Sequence, residues 1–348
     1  GWVYCLRAAD GKLVWRFRAA PADLRLVAFE QVESVWPVHG SVLVWDGVVY
    51  CVAGRSAFLD GGMRLVRLDA ETGELLSETV INDRDPVTGE NLQVKMRGLN
   101  MPPALPDVLS CDGRYVYMRS QRFKLNGEEL PPVTPSNPRD QRGEGAHLFC
   151  PFGFLDDSWF HRSYWIYGKT FMGGAGGWPQ AGRFTPAGRI LVFDESRVYG
   201  FGRKPQYFRW TTPLEYHLFC ADKEPKLIKA SKKIRVPRIE HRWSREVPIL
   251  VRAMVLANGT LFIAGPPDLV DEEEAFDRYK DPEIQRKLKE QAEALEGRRG
   301  GMLLVVSASD GRDLARYELD SPPVFDGMAA AYGRLYLATM DGRLICFR

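Results

Sequence analysis

The sequence has 348 residues, of which 45% are hydrophobic and 26% are charged, an ordinary composition for a globular protein. Its 47 Lys and Arg residues nearly balance 45 Asp and Glu residues, and a formal net charge of +2 creates no overall field to attract nucleic acid or an anionic membrane. No apolar run approaches the roughly 18 residues that a membrane helix needs. We therefore predict no membrane span in this chain and no nucleic-acid partner.

The chain opens directly on a strand pattern, Gly1 to Leu6, with neither a starting Met nor a signal peptide. We therefore expect the domain to be truncated at its N-terminus. On this interpretation residues 1–18 contribute only the last half of a repeating unit.

Five later segments share one form: an apolar run, a tight turn, and a second apolar run that ends in an aromatic residue. They are residues 41–50, 107–117, 189–199, 253–262 and 327–336. Turns such as Asp46-Gly47 and Asn258-Gly259 favour β-hairpins, because type I′ turns need positive φ angles that Gly, Asn and Asp tolerate. The third segment has Asp194-Glu195-Ser196 instead, which predicts a longer or different turn.

A second hairpin recurs around the turns Arg7–Gly11, Asp69–Gly73 and Ser307–Gly311. Two hairpins make a four-stranded antiparallel blade, and blades must stack because a single blade cannot bury both faces. We predict an all-β fold, a β-propeller of four-stranded antiparallel blades with long loop insertions and one helical insertion, as a single domain over residues 1–348. After the leading half blade 1–18, the blades are expected at about 30–80, 105–170, 187–235, 250–320 and 325–348.

One turn continues into a fuller motif: Ala8, two residues, Gly11, and then Trp15 four residues later. This pattern resembles the quinoprotein-like, pyrroloquinoline-quinone-type repeat of β-propellers, and Trp36 to Val44 resembles a bacterial subfamily of unknown activity. In two other copies Ser77 and Ala315 stand where the tryptophan would be. The resemblance implies a periplasmic or extracellular location. The adjacent cysteine pair of quinone-dependent dehydrogenases is missing, so we predict no cofactor and do not expect pyrroloquinoline quinone.

One insertion predicts a helix. Asp281 precedes Pro282 as an N-cap before a first-turn proline, and Gly297 follows as a stop. A solvated helix on the propeller rim and a partner-binding helix both fit this segment.

The insertion from Phe152 to Arg183 mixes aromatic residues, His and Arg among glycines. Aromatic rings can stack on sugars or other flat ligands, and Arg can clamp a carboxylate or phosphate. The alternative is that these residues cover a blade face. A regular hairpin would bring His39 and Arg55 to the same end of one blade. We predict binding residues at His39, Arg55, His161, Arg162, Trp165, Trp178 and Arg183; catalytic residues stay unassigned, and no metal site is predicted.

Two classes of function stay open, so the sequence does not decide whether the chain is an enzyme. The first is a non-catalytic scaffold or binding module of a larger bacterial envelope or secreted protein, with a protein or a glycan as ligand. The second is an enzyme with its site at the funnel mouth, either acting on an anionic carbohydrate, with His as base and Arg as clamp, or oxidising through a quinone.

Overall fold

The structure is a computed structural model, and the part described here comprises residues 1–28, 30–39, 42–85, 87–92, 105–119, 121–130, 140–149, 165–169, 182–204, 216–229, 231 and 235–348. Its residues cluster into two compact units. Unit 1 contains Gly1–Phe154 and Gly168–Gly177, and unit 2 contains Leu155–Tyr167 and Trp178–Arg348.

The strands of unit 1 form antiparallel sheets between consecutive strands. These strands are β1 (Trp2–Leu6), β2 (Leu13–Arg18), β3 (Arg25–Ala28), β4 (Gln31–Ser34), β5 (Leu43–Trp45), β6 (Val48–Ala53), β7 (Met63–Asp69), β8 (Leu75–Ile81), β9 (Leu109–Cys111), β10 (Tyr115–Met118), β11 (Gln121–Lys124), β12 (Glu129–Leu130) and β13 (His147–Phe149). β1 pairs with β2 and β3 with β4, while β5 to β8 and β9 to β12 each form a four-stranded sheet.

Unit 2 repeats this pattern and adds two helices. Its elements are β14 (Trp165–Gly168), β15 (Ala187–Gly188), β16 (Ile190–Phe193), β17 (Arg197–Arg203), β18 (Tyr216–Asp222), β19 (Lys226–Lys229), β20 (Arg235–Arg238), β21 (His241–Arg245), β22 (Ala253–Ala257), β23 (Thr260–Gly265), α1 (Glu272–Asp277), α2 (Pro282–Leu295), β24 (Gly301–Ser307), β25 (Asp313–Leu319), β26 (Pro323–Ala331), β27 (Arg334–Thr339) and β28 (Leu344–Phe347). Its sheets have the orders β16-β17-β18-β21, β22-β23-β24-β25 and β26-β27-β28; β14 pairs with β15, and β19 pairs with β20.

The predicted turns join the first two strands of these sheets. Both residues have positive φ in Asp46-Gly47 (48° and 73°) and in Asn258-Gly259 (48° and 71°), as type I′ turns require. In the third segment Asp194 caps the turn instead, and its Oδ1 accepts hydrogen bonds from the backbone N–H groups of Ser196 and Arg197 at 2.8 and 2.7 Å. The prediction of an all-β fold built from antiparallel propeller blades is confirmed.

The predicted helix is also confirmed as α2. The Asp281 side chain accepts a hydrogen bond from the Glu283 N–H at 2.9 Å, and Gly297 follows with φ 85°. The buried Arg252, just before β22, donates from Nη2 to the carbonyl of Leu295 at 2.7 Å, which satisfies an otherwise orphaned carbonyl at the end of the helix. Helix α1, which the sequence analysis did not predict, precedes α2.

In unit 1 a tryptophan joins consecutive sheets. Trp15 on β2 donates from Nε1 to the carbonyl of Ala70 at 3.1 Å, across to the turn that links β7 and β8. A Cβ atom on Gly73 of that turn would lie 2.6 Å from the indole ring. Gly73 also has φ 74°, so the turn needs glycine both for its backbone conformation and for this contact.

Unit 2 contains a second copy of this contact. Trp243 on β21 donates from Nε1 to the carbonyl of Ala308 at 3.0 Å, and a Cβ atom on Gly311 would lie 2.6 Å from its ring. We call this arrangement the indole–turn contact. Sequence spacing did not reveal Trp243, because the whole β19–β20 hairpin separates it from the strand beside it. The two tryptophans have one feature in common: each lies opposite a cysteine on the neighbouring strand. Trp15 pairs with Cys5, and Trp243 pairs with Cys220.

Where serine replaces the tryptophan, a smaller polar contact takes its place. Ser77 on β8 donates from Oγ to the carbonyl of Asn126 at 3.3 Å, and Thr79 donates to the carbonyl of Gly127 at 2.7 Å. Both acceptors lie in the turn between β11 and β12. The join between consecutive sheets therefore persists without an indole.

We expect the indole–turn contact to contribute measurably to the free energy of unfolding. We expect Trp243→Phe to cost about 1 kcal/mol, for the lost hydrogen bond. Trp243→Ala should cost about 3 kcal/mol, because it also leaves a cavity. Urea unfolding measures both values. The control Tyr279→Ala removes an exposed side chain and should change stability by less than about 0.5 kcal/mol; equal losses for Trp243→Ala and the control would contradict the prediction.

Candidate binding surface

The structure brings the chain segments of His39 and Arg55 together at one end of the β5–β8 sheet. Val38 pairs with Ala53, and the Gly54 N–H donates to the carbonyl of Pro37 at 2.9 Å. His39 is exposed, yet partial desolvation by the surrounding protein lowers its pKa, against the opposing charge of Glu33.

Arg55 already has protein partners. Its Nη2 lies 2.6 Å from Asp60 Oδ2, and its Nε donates to the carbonyl of Val35 at 3.2 Å. These contacts neutralise the guanidinium and fix its position. They do not favour Arg55 as a clamp for an anionic ligand.

The other predicted residues belong to the later insertion. Trp165 is buried in β14, and Arg183 is exposed, with its carbonyl accepting a hydrogen bond from the Ile239 N–H at 2.9 Å. His161, Arg162 and Trp178 lie outside the described residues. The predicted binding role of the insertion stays a prediction.

A buried carboxyl group that the sequence analysis did not single out precedes β9. Asp107 Oδ1 accepts a hydrogen bond from the Val108 N–H at 2.8 Å, whereas Oδ2 has no hydrogen-bond partner. Within the described residues its ion-pair partner is Arg119, whose Nε lies 3.9 Å from Oδ2. Burial raises the pKa of Asp107 to about 7, despite the opposing effects of the Val108 N–H and the Arg119 charge.

His147, at the start of β13, is a buried structural group. Its Nδ1 lies 2.8 Å from the carbonyl of Gly145, and its Nε2 contacts the carbonyl of Arg119. A neutral imidazole has one N–H, so it can donate to only one of these carbonyls. Desolvation lowers the pKa of His147, and the ring stacks on Tyr117 at a centroid distance of 3.9 Å.

In the described part of the chain, no group of three or more His, Cys, Asp or Glu residues is placed to hold a metal ion. No described helix is long and apolar enough to cross a membrane. Cys5, Cys51, Cys111, Cys220 and Cys346 are free thiols.

The clearest candidate surface is one face of the β1–β2 sheet, which we call the open face. Alternate residues of β1 lie on it, and they are 37% (Trp2), 58% (Tyr4) and 56% (Leu6) exposed. Arg16 and Arg18 on β2 pair with Tyr4 and Trp2 and are exposed as well. The guanidinium of Arg16 lies 5.1 Å from the centre of the Trp2 ring, a cation–π contact.

The same face is covered in the related sheets. A register shift falls before Leu6 in β1, before Leu68 in β7 and before Val306 in β24, which aligns these strands residue by residue. The counterparts of Tyr4 and Leu6 have at most 1% of their surface exposed, namely Val66, Leu68, Leu304 and Val306. Val66 and Leu68 pack in one cluster with Trp15 and Phe17 of the preceding sheet. The open face therefore has the position of a face that a preceding sheet normally buries.

The turn beside the open face has the same geometry as the turns that receive an indole. The Gly11 N–H donates to the carbonyl of Arg7 at 2.8 Å, as Gly73 donates to Asp69 at 2.9 Å and Gly311 to Ser307 at 2.8 Å. Gly11 has φ 71°, close to the values of Gly73 and Gly311. A Cβ atom built on Gly11, however, meets no atom within 4 Å. Among the described residues, none covers this turn as Trp15 and Trp243 cover the other two.

Comparison with known proteins gives distant structural similarity. No protein-family model matches the sequence, and no curated protein matches it either. BamB from Moraxella catarrhalis is similar over 99% of this chain and 90% of its own, at 12% identity and a TM-score of 0.41. The quinohemoprotein alcohol dehydrogenase ADHIIG from Pseudomonas putida HK5 is similar over 99% of this chain and 62% of its own, at 13% identity and a TM-score of 0.39.

A third similar structure is the dihydro-heme d1 dehydrogenase NirN in complex with DHE, which matches 99% of this chain and 58% of its own at 12% identity and a TM-score of 0.36.

The buried carboxyl group of Asp107 predicts a pH-dependent loss of stability. Its pKa is higher in the folded than in the unfolded chain, so the folded state binds the proton more tightly and stability falls as pH rises from about 4 to above 7. Asp107→Asn removes this titration while keeping an acceptor for the Val108 N–H. We expect the loss between pH 5 and pH 8 to shrink by a few kcal/mol in this variant.

Urea unfolding at both pH values measures this difference. The matched control, Asp23→Asn, neutralises an exposed carboxylate in the same unit and should leave the pH dependence as in the unchanged protein. Parallel pH profiles for Asp107→Asn and the unchanged protein would show that Asp107 does not titrate in this range.

Proposed function

We propose that this chain is a non-catalytic propeller module that binds a partner protein through its open face. The observation that carries the proposal is the uncovered turn at Gly11, beside an exposed face whose counterparts on β7 and β24 are buried. The partner contributes a β-sheet of the propeller type, with a tryptophan on its outer strand. In the complex this tryptophan lies over Gly11 and donates to the carbonyl of Ala8, as Trp15 does to Ala70.

The residues of the open face favour a protein over a small ligand. Trp, Tyr and Arg are the side chains that most often dominate the binding energy of protein interfaces. The face is one side of a regular two-stranded sheet, and β1 pairs only with β2 among the described residues. Because burial of Trp2, Tyr4 and Leu6 removes apolar surface from water, a covering sheet gains stability from the same contacts that hold the blades together.

The alternative was an enzyme that acts on an anionic carbohydrate. Its proposed arginine clamp included Arg55, whose Nη2 and Nε already contact Asp60 and the carbonyl of Val35. These contacts favour the binding module. A periplasmic or extracellular location in bacteria remains part of the proposal, as the family resemblance implies.

Site-specific photocrosslinking tests the proposal. A benzoyl-phenylalanine at position 6 replaces the exposed Leu6 on the open face, and a second protein carries it at the exposed Val87 as control. After irradiation in the cells that produce the protein, we expect the position-6 probe to crosslink to one partner. Mass spectrometry should identify a peptide of that partner from a tryptophan-bearing strand.

A substitution in the turn provides the matched test. Gly11→Asn keeps the positive φ that asparagine tolerates and places a side chain where the partner's indole would lie. It should reduce the crosslink at least tenfold. Gly89→Asn is the control, because Gly89 has φ 70°, donates to the carbonyl of Asp85 in the same way, and also has open space around its Cα.

Three results would contradict the proposal. They are equal crosslinking from positions 6 and 87, insensitivity to Gly11→Asn, or a second copy of this chain as the crosslinked protein.

A further inference from the structure

The β19–β20 hairpin is an insertion at one specific place in a blade. In the other three four-stranded sheets the third and fourth strands are joined by the short connections 70–74, 125–128 and 308–312. In the sheet β16-β17-β18-β21 the corresponding connection runs from Lys223 to Glu240 and contains two extra strands. An extension on a rigid sheet is a common position for binding residues.

This hairpin is strongly basic in a chain that is nearly neutral overall. From Pro225 to Ile239 the sequence has no Asp or Glu, and its cations are Lys226, Lys229, Lys232, Lys233, Arg235 and Arg238. The register places Lys226 opposite Arg238 and Lys229 opposite Arg235. Like charges directly opposite one another destabilise a pair of strands, so these pairs do not help the hairpin to fold.

Nearby acids do not compensate these charges. The side chain of Lys226 lies 3.7 Å from Glu240, in a pair that is largely exposed and therefore weak. Lys229, Arg235 and Arg238 form no ion pair within the described residues. The next strand differs, because Arg242 lies 2.9 Å from Asp222 and Arg245 lies 2.8 Å from Asp313.

The hairpin is anchored to unit 2. Val236 and Pro237 are buried, and the Ile239 N–H donates to the carbonyl of Arg183 at 2.9 Å. Arg183 is exposed beside the base of the hairpin. The backbone at the two ends of β19 and β20 therefore has fixed positions, about 10 Å apart along a strand of this length, with Lys226 and Arg238 on one face and Lys229 and Arg235 on the other.

We propose that the β19–β20 hairpin binds an anionic polysaccharide, through its exposed Lys and Arg side chains and the sulfate or carboxylate groups of the polymer. Guanidinium and ammonium groups bind both anions. Between Pro225 and Ile239 there is no aromatic residue on which a nucleic-acid base could stack. Two of the four apolar residues of the two strands, Val236 and Pro237, are already buried, which leaves few apolar anchors for a protein or a membrane.

This site is independent of the open face, so either proposal can fail without the other. Heparin, a sulfated polysaccharide, and polygalacturonate, a carboxylated one, serve as probes in isothermal titration calorimetry at low and moderate salt. We expect binding to at least one of them, with an affinity that falls as salt screens the charges.

The triple variant Lys229→Gln, Arg235→Gln, Arg238→Gln tests the location. It should weaken binding about tenfold or more, and its melting temperature should not fall, because the substitutions remove like-charge repulsion. The matched control, Arg286→Gln, Lys289→Gln, Arg298→Gln, removes the same number of positive charges from exposed positions on and after α2. It should change the affinity less than about threefold.

Each alternative outcome overturns part of the proposal. Equal weakening by the two triple variants, or no binding to either polysaccharide, would show that the hairpin is not the site. Tighter binding to poly-L-glutamate, to single-stranded oligodeoxythymidylate or to phosphatidylserine vesicles would show that the class of ligand is wrong.

Discussion

At two joins between consecutive sheets, the packing of one sheet on the next depends on a contact between an indole and a glycine turn. Trp15 and Trp243 each donate a hydrogen bond to a carbonyl of the turn and lie flat against its glycine. The glycine meets two demands at once, a positive φ and the lack of a Cβ, so no other residue fits without strain. Apolar side chains beside the turn then become buried, because the neighbouring sheet covers a face that a single sheet would leave exposed.

The glycine turn connects the third and fourth strands of a sheet. The protein departs from a plain repeat at two of these connections. At Gly11 the turn keeps its geometry but receives no indole from the described residues, and Tyr4 and Leu6 remain exposed beside it. In the sheet that contains Trp243 the connection is extended into the basic β19–β20 hairpin. Trp243 still reaches its turn, because the extension leaves the outer strand in register with β18.

Three buried polar groups lie at or just before the start of a strand, and they have different physical roles. Arg252 satisfies a carbonyl at the end of α2, so its charge stabilises the helical insertion. Asp107 has one oxygen without a hydrogen bond and a pKa raised by burial to about 7, so its ionised form opposes folding. Burial favours the neutral ring of His147 and lowers its pKa, against the two carbonyls that its nitrogens contact, and the ring stacks on Tyr117.

The sequence by itself determined the features that depend on near neighbours: the hairpin turns at Asp46-Gly47 and Asn258-Gly259, the capped helix after Asp281, and the repeat around Gly11. These features follow from backbone preferences within a few residues. Only the tertiary structure decided that Trp243 makes the same contact as Trp15, that Asp60 neutralises Arg55, and that the face of Tyr4 and Leu6 is uncovered. Sequence patterns could not show this, because burial and pairing depend on which distant strands come together, and periodicity does not identify the partner of a face.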